Sequence, residues 1–140
     1  MTEFSNTKHG EVLYQAVIPI DPKTKKNSMD IKYRHSSSGY AIPYISQGET
    51  YKQFERDCGY FLRKIPKAID VPVNVRMVFY RETNRRVDLC NLENAILDIL
   101  VKYGILADDN INIVASMDGS RVLHDKEKPR TEITIERAEQ

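Results

Sequence analysis

A change of hydrophobic period in the middle of this 140-residue chain constrains its fold more than any other feature. Over Val71–Tyr80, apolar and polar side chains alternate, which is typical of a strand with one buried face. Over Asp88–Tyr103, apolar side chains recur every three or four residues, as on an amphipathic helix. Gly104 then fits a helix C-terminal cap. This order predicts an α+β domain, a small mixed β-sheet with two helices packed on one face.

The remaining segments extend this prediction to the whole chain. Residues 1–10 are expected to form a flexible tail, and residues 11–140 a single domain. Further strands are predicted at Glu11–Ile20, Ile111–Ser116 and Thr131–Arg137, a helix at Glu49–Ile65 ended by Pro66, and a hairpin turn at Asp118–Arg121. Asp21–Gly48 is turn-rich. Within it, Tyr40–Ile45 is predicted to form a short strand or hairpin arm, whose aromatic side chains either contact DNA or cover the core.

Composition excludes several classes of protein. No apolar run approaches the roughly 20 residues that span a bilayer, and the polar first ten residues do not resemble a secretory signal. Cys58 and Cys90 are too few for a disulfide framework, so both are expected to stay reduced. We therefore expect a cytoplasmic protein without a membrane partner. Scattered histidines show no zinc spacing.

Acidic residues are concentrated between Asp88 and Asp118. Six acids stand there against one base, Lys102, although the whole chain carries a net charge of only +1. Such a concentration is unfavourable unless a cation or a paired base relieves the repulsion. Because Mg²⁺ prefers a few carboxylate oxygens together with water and phosphate, the segment predicts a metal site for phosphate chemistry.

Each acid also has a plainer interpretation. Asp88 is placed to cap the helix, and Asp108 and Asp109 are typical turn residues. The predicted helix is about 22 Å long, so Asp109 can approach Asp88 only if the chain returns along the following strand. Asp98, about 15 Å from Asp88 along the helix, is expected to be structural or to pair with a base. Glu93 is expected to face solvent.

The chain resembles the RusA family of Holliday junction resolvases from about residue 13 to residue 135, most specifically over residues 85–112. These are small and often phage-derived endodeoxyribonucleases of DNA recombination and repair. The resemblance rests on Asp88 followed by Asn91-Leu92, on Asp98 within the helix, and on Gly104 followed by Asp108-Asp109 before a strand. It implies Mg²⁺-dependent hydrolysis, with Mn²⁺ as a possible substitute. Asp88, Asp109 and Asp108 are the implied metal ligands, and Asn91 joins them as a catalytic residue.

The resemblance also implies the partners. The substrate would be branched double-stranded DNA, and a homodimer would make the two symmetric nicks that resolve a four-way junction. Basic residues flank the acidic segment and are the candidates for holding DNA phosphates. They are Lys23, Lys25, Lys26, Arg85 and Arg86.

Two positions depart from the family pattern. Cys90 stands where the family usually has a second Asp, and Asn94 stands where it commonly has a Lys. Thiol sulfur is a soft ligand and Mg²⁺ prefers hard oxygen, so Cys90 is not expected to replace the carboxylate. Three functions therefore remain: an active junction resolvase, a junction-binding protein that has lost catalysis, and a small structural protein.

Overall fold

In a computed structural model, the central strand of the fold has neighbouring strands on both edges. The structure describes residues 9–25 and 29–138, and the side chains of all these residues except 29–32 and 44–47. The elements are β1 (Val12–Ile18), β2 (Met29–His35), β3 (Ala41–Gln47), α1 (Glu49–Tyr60), β4 (Val73–Arg81), α2 (Leu89–Lys102), β5 (Val114–Ser116), β6 (Arg121–His124) and β7 (Arg130–Arg137). The predicted α+β class is confirmed.

The main sheet is mixed and is built around β4. Its order is β1-β7-β4, with β1 and β4 both antiparallel to β7. On its other edge β4 pairs with β5 and then with β6, and both run parallel to it. The predicted hairpin turn at Asp118–Arg121 is therefore wrong. Residues 117–120 join β5 to β6 without reversing the chain, because both strands run parallel to β4.

The core lies between the helices and one face of this sheet. Alternation along the strands places Ile133 beside Met77 and Ile135 beside Val75, and all four side chains are buried. The apolar stripe of α2 covers this face, with Leu92, Ile96 and Ile99 essentially inaccessible. The alternating apolar residues of the strands and the apolar residues at helical spacing in α2 thus face each other across one core.

The first helix is shorter than predicted. It ends at Tyr60, although Leu62 is still buried. The backbone N–H of Phe61 bonds to the carbonyl of Cys58, a tighter turn than the α-helical pattern. Pro66 therefore does not end the helix.

A two-stranded hairpin separates the first strand from the first helix. β2 and β3 pair with each other along their whole length and form a sheet of their own. The predicted strand in Tyr40–Ile45 is confirmed as β3, whereas β2 was not predicted.

The N-terminal region is described only from His9 onward. The backbone N–H of Gly10 donates to the carbonyl of Arg137 at 2.7 Å, and the His9 ring lies 3.0 Å from the Asp118 carboxylate. The rest of the predicted tail lies outside the described residues. No helix in the described ranges has the length and apolar character needed to cross a membrane.

Candidate active site

Asp88 stands at the N-cap of α2, at the end of the loop that follows β4. Its backbone carbonyl accepts the N–H groups of Asn91 and Leu92, so the first helical turn is formed. Its carboxylate makes no capping hydrogen bond. Instead one of its oxygens accepts the side-chain amide of Asn91 at 3.4 Å. The residue is exposed, and its carboxylate faces solvent where a cation or phosphate can reach it.

Arginines flank Asp88 on the same loop. Arg85 and Arg86 are exposed, and the guanidinium of Arg81 donates to the carbonyl of Arg85. This contact ties the loop to the last residue of β4. With Val122, Leu123 and His124 of β6, the loop lines a shallow cleft beside the start of α2. The position of these guanidinium groups suits contact with DNA phosphates.

Asp108 and Asp109 lie on the loop beyond the C-terminal end of α2. The backbone N–H of Ala107 bonds to the carbonyl of Ile69, which fixes this loop beside the start of β4. The Asp108 carboxylate accepts the backbone N–H of Asp109 at 2.7 Å and the side-chain amide of Asn110 at 3.2 Å. It thus forms the turn that was the plainer interpretation of the pair. Both aspartates remain exposed.

The structure does not bring Asp88 and Asp109 together within one protomer. The 14 residues of α2 separate them, which is about 21 Å at 1.5 Å per residue. The chain does run back along the sheet toward Asp88, but only after Asp109. Its return begins with β5, which starts beside Val73, at the end of β4 that is farthest from Asp88. Accordingly, the described residues contain no group of three acidic, histidine or cysteine side chains arranged to hold a metal ion.

The predicted DNA-binding lysines have carboxylate partners where they are described. The ammonium group of Lys23 lies 3.2 Å from Asp21, and that of Lys25 bonds to Asp98 on α2. Asp98 is thus paired with a base, as one of the expectations had it. Lys26 lies outside the described residues. Partly exposed ion pairs of this kind contribute little, so a phosphate can replace the carboxylate at small cost.

Glu93 contradicts the prediction that it faces solvent. It is 6% exposed and belongs to the buried side of α2. Burial raises the pKa of its carboxyl group, and a hydrogen bond with Ser120 opposes that shift. The signal for this burial was the helical spacing of Glu93 from Leu97 and Leu100, which are also buried.

The family model described as endodeoxyribonuclease RusA matches residues 19–136. The chain belongs to the RusA family. Its members are endodeoxyribonucleases that resolve branched DNA junctions. A comparison with curated proteins finds no match.

Within this RusA-family chain, the two departures from the family pattern lie on the surface. Cys90 is exposed in the first turn of α2 and does not belong to the buried core. Asn94 is also exposed and follows Cys90 by four residues, so the two positions share one face of the helix. Cys90 lies in the helical turn that Asp88 opens and Asn94 lies one turn further along, so both substitutions change the surface near the candidate site.

Proposed function

We propose that this RusA-family protein is a Mg²⁺-dependent endodeoxyribonuclease that resolves four-way DNA junctions by paired nicks as a homodimer. The observation that carries the proposal is the exposed carboxylate of Asp88, which makes no capping bond. An Asp at this position ordinarily stabilises a helix by capping it, by about 1 kcal/mol. Here one carboxylate oxygen accepts the Asn91 amide at 3.4 Å and the other is left for another ligand, beside Arg85 and Arg86.

The donor atoms near Asp88 fit magnesium in kind but are too few in one protomer. Carboxylate and amide oxygens are hard ligands, and Asp88 and Asn91 supply both. A further carboxylate is needed, and Asp109 of the same protomer is at the wrong end of α2. Once bound, the ion would lower the pKa of a water molecule and stabilise negative charge on the phosphate.

A second protomer provides the missing carboxylate if the two α2 helices lie antiparallel across a two-fold axis. Two-fold symmetry then places the Asp88 end of one helix near the Asp109 end of the other, and does so twice. Two equivalent sites result, which suits two symmetric nicks. Each site would combine Asp88 and Asn91 of one chain with Asp108 and Asp109 of its partner.

The remaining residues act on the DNA and on the ligands. Arg85 and Arg86 would hold the phosphates that flank the cleaved bond, because one guanidinium group can donate two parallel hydrogen bonds to a phosphate. The amide of Asn91 would keep the Asp88 carboxylate in one orientation. Lys23, Lys25 and Lys26 would contribute along a neighbouring DNA arm.

A catalytically inactive junction-binding protein is the second candidate. Cys90 and Asn94 favour it, because the face of α2 beside Asp88 lacks both the carboxylate and the ammonium group common in the family. Such a protein would still bind junctions with strong salt dependence.

A subunit-mixing experiment tests the proposal. Asp88→Asn and Asp109→Asn are each expected to abolish nicking, while junction binding survives or tightens because charge repulsion against DNA is removed. When the two variants are unfolded together and refolded as a mixture, half of the dimers should be mixed. In a mixed dimer, one of the two shared sites keeps both aspartates.

Restored nicking of a single strand in the mixture, absent from either variant alone, is the expected result. If each site instead lies within one chain, the mixture stays inactive. Wild-type protein that binds junctions but does not nick them with Mg²⁺ or Mn²⁺ would favour the binding protein.

A further inference from the structure

The hairpin of β2 and β3 ends in a well-formed turn that presents Tyr40. The backbone N–H of Ser36 donates to the carbonyl of Tyr40 at 2.8 Å, and the Ser36 hydroxyl accepts the N–H of Tyr40 at 3.0 Å. Gly39 occupies the left-handed region at φ +89°, which closes the turn. The ring of Tyr40 is thus held by a defined backbone, yet it is 74% exposed.

The outer half of the hairpin does not cover the core. Tyr33 and Ile42 are also more than half exposed. The alternative in which the segment covers the core is therefore wrong for Tyr40 and Ile42, whereas the side chains of Tyr44 and Ile45 lie outside the described residues. Because Ile42 pairs with Arg34 and Tyr33 pairs with Pro43, the two side chains lie on opposite faces of the hairpin, and each face exposes a large side chain.

The outer part of the hairpin is complementary to DNA in charge. Asp30 stands near the start of β2, but no acidic residue occurs in residues 31–48, where Lys32 and Arg34 are basic. Two-stranded ribbons of this size fit the grooves of duplex DNA. Aromatic rings beside basic groups are the combination that binds unstacked bases.

The hairpin leads directly into the N-terminal end of α1, which lies beside the middle of α2. Lys25 bonds to Asp98 and lies over the ring of Tyr51, and further along Lys102 bonds to Glu55. The two helices therefore run in the same direction, with the start of α1 level with Asp98. Asp98 is about 15 Å from Asp88 along the axis of α2.

We propose that the β2–β3 hairpin is a DNA-contacting arm, and that Tyr40 stacks on the open base-pair face at the branch point of a junction. Continuous duplex offers no such face, so Tyr40 would favour branched over linear DNA. This inference rests on the proposed function for its ligand. It adds a residue that selects substrate structure, separate from the acids and arginines at Asp88.

The test compares Tyr40→Ala and Tyr40→Phe with a matched control. Tyr60→Ala is the control, because Tyr60 is 85% exposed at the last residue of α1. Affinity is measured for a four-way junction and for a linear duplex of the same sequence, in metal-free buffer. A junction with 2-aminopurine at its branch point reports stacking by its fluorescence.

Loss of one base–aromatic stack should weaken junction binding by about tenfold for Tyr40→Ala. Duplex binding should be nearly unchanged, and the fluorescence response of the wild type should disappear. Tyr40→Phe and Tyr60→Ala should behave like the wild type. Equal melting temperatures would show that all variants are folded.

Three results would overturn the inference: junction binding of Tyr40→Ala equal to wild type, equal loss on junction and duplex, or loss accompanied by dissociation of a dimer. The last would assign the arm to the second copy of the chain. Nicking by the wild type is measured in parallel. If nicking is absent while Tyr40→Ala still weakens junction binding, the proposed nuclease function is contradicted, whereas the inference that the hairpin contacts DNA is supported.

Discussion

At the residue scale, the first turn of α2 combines an Asp at the N-cap with an exposed Cys90. Neither side chain stabilises the helix through a capping bond or through burial, so other side chains could occupy both positions. Because Cys90 contributes nothing to the buried core, its replacement is not expected to disturb the fold. Cys90 is therefore the position at which substitution by Asp can restore the carboxylate that the family usually has there.

We predict that Cys90→Asp lowers the Mg²⁺ concentration needed for nicking, since it adds a hard oxygen ligand beside Asp88. Cys90→Ser is the matched control and should change little, as it adds no charge. Titration of nicking against Mg²⁺ and Mn²⁺ measures both variants. Abolished cleavage in Cys90→Ser at every metal concentration would show a direct role for the thiol.

A second residue-scale prediction concerns Glu93, whose pKa is raised above the ordinary 4.5 by burial. The folded state therefore binds this proton more tightly than the unfolded state does. The resulting contribution to the free energy of unfolding is complete below pH 4.5 and is lost as the pH rises through the folded-state pKa. Glu93→Gln cannot ionise and avoids this loss.

Melting temperatures at about pH 4 and about pH 8 check the effect of Glu93→Gln. The variant should exceed the wild type at the higher pH, and the difference should shrink at the lower one. A difference of the same size at both would mean that the ionisation of Glu93 is not responsible.

At the element scale, Gly59 of α1 lies against the ring of Tyr103, the C-cap residue of α2. A Cβ atom built there would lie 2.6 Å from the ring of Tyr103, whose hydroxyl donates to the carbonyl of Glu55. Gly59→Ala should therefore force the helices apart and cost about 1–3 kcal/mol. Gly104→Ala meets no atom within 4 Å and serves as a control for backbone strain alone. Urea unfolding should show the larger loss in Gly59→Ala.

The loop between β4 and α2 is expected to dominate the salt dependence of DNA binding. Each phosphate contact contributes about −0.9 to the log–log slope. Changing Arg85 and Arg86 to Ala should flatten the slope more than changing Lys23 and Lys25, because both lysines already have carboxylate partners. Binding measured over a range of salt concentrations decides this. A larger effect of the lysines would place the main phosphate contacts on residues 21–26.

At the scale of the whole molecule, the candidate acids are divided between the two ends of α2, so one chain does not bring them together. We predict a dimer in solution, in which each site combines Asp88 of one chain with Asp109 of the other. Light scattering at micromolar concentration checks this prediction, and a monomer alone would contradict it.

The sequence by itself determined the α+β class, the elements built around β4 and α2, and the acids that mark the RusA family. These features are local, since strand alternation, helical spacing and caps depend on neighbouring residues. Only the tertiary structure decided that β5 and β6 both run parallel to β4, and that Glu93 is buried. It also decided that the chain returns along the sheet only after Asp109, so that Asp88 and Asp109 stay apart, because the direction of each return depends on long-range strand pairing that no local pattern specifies.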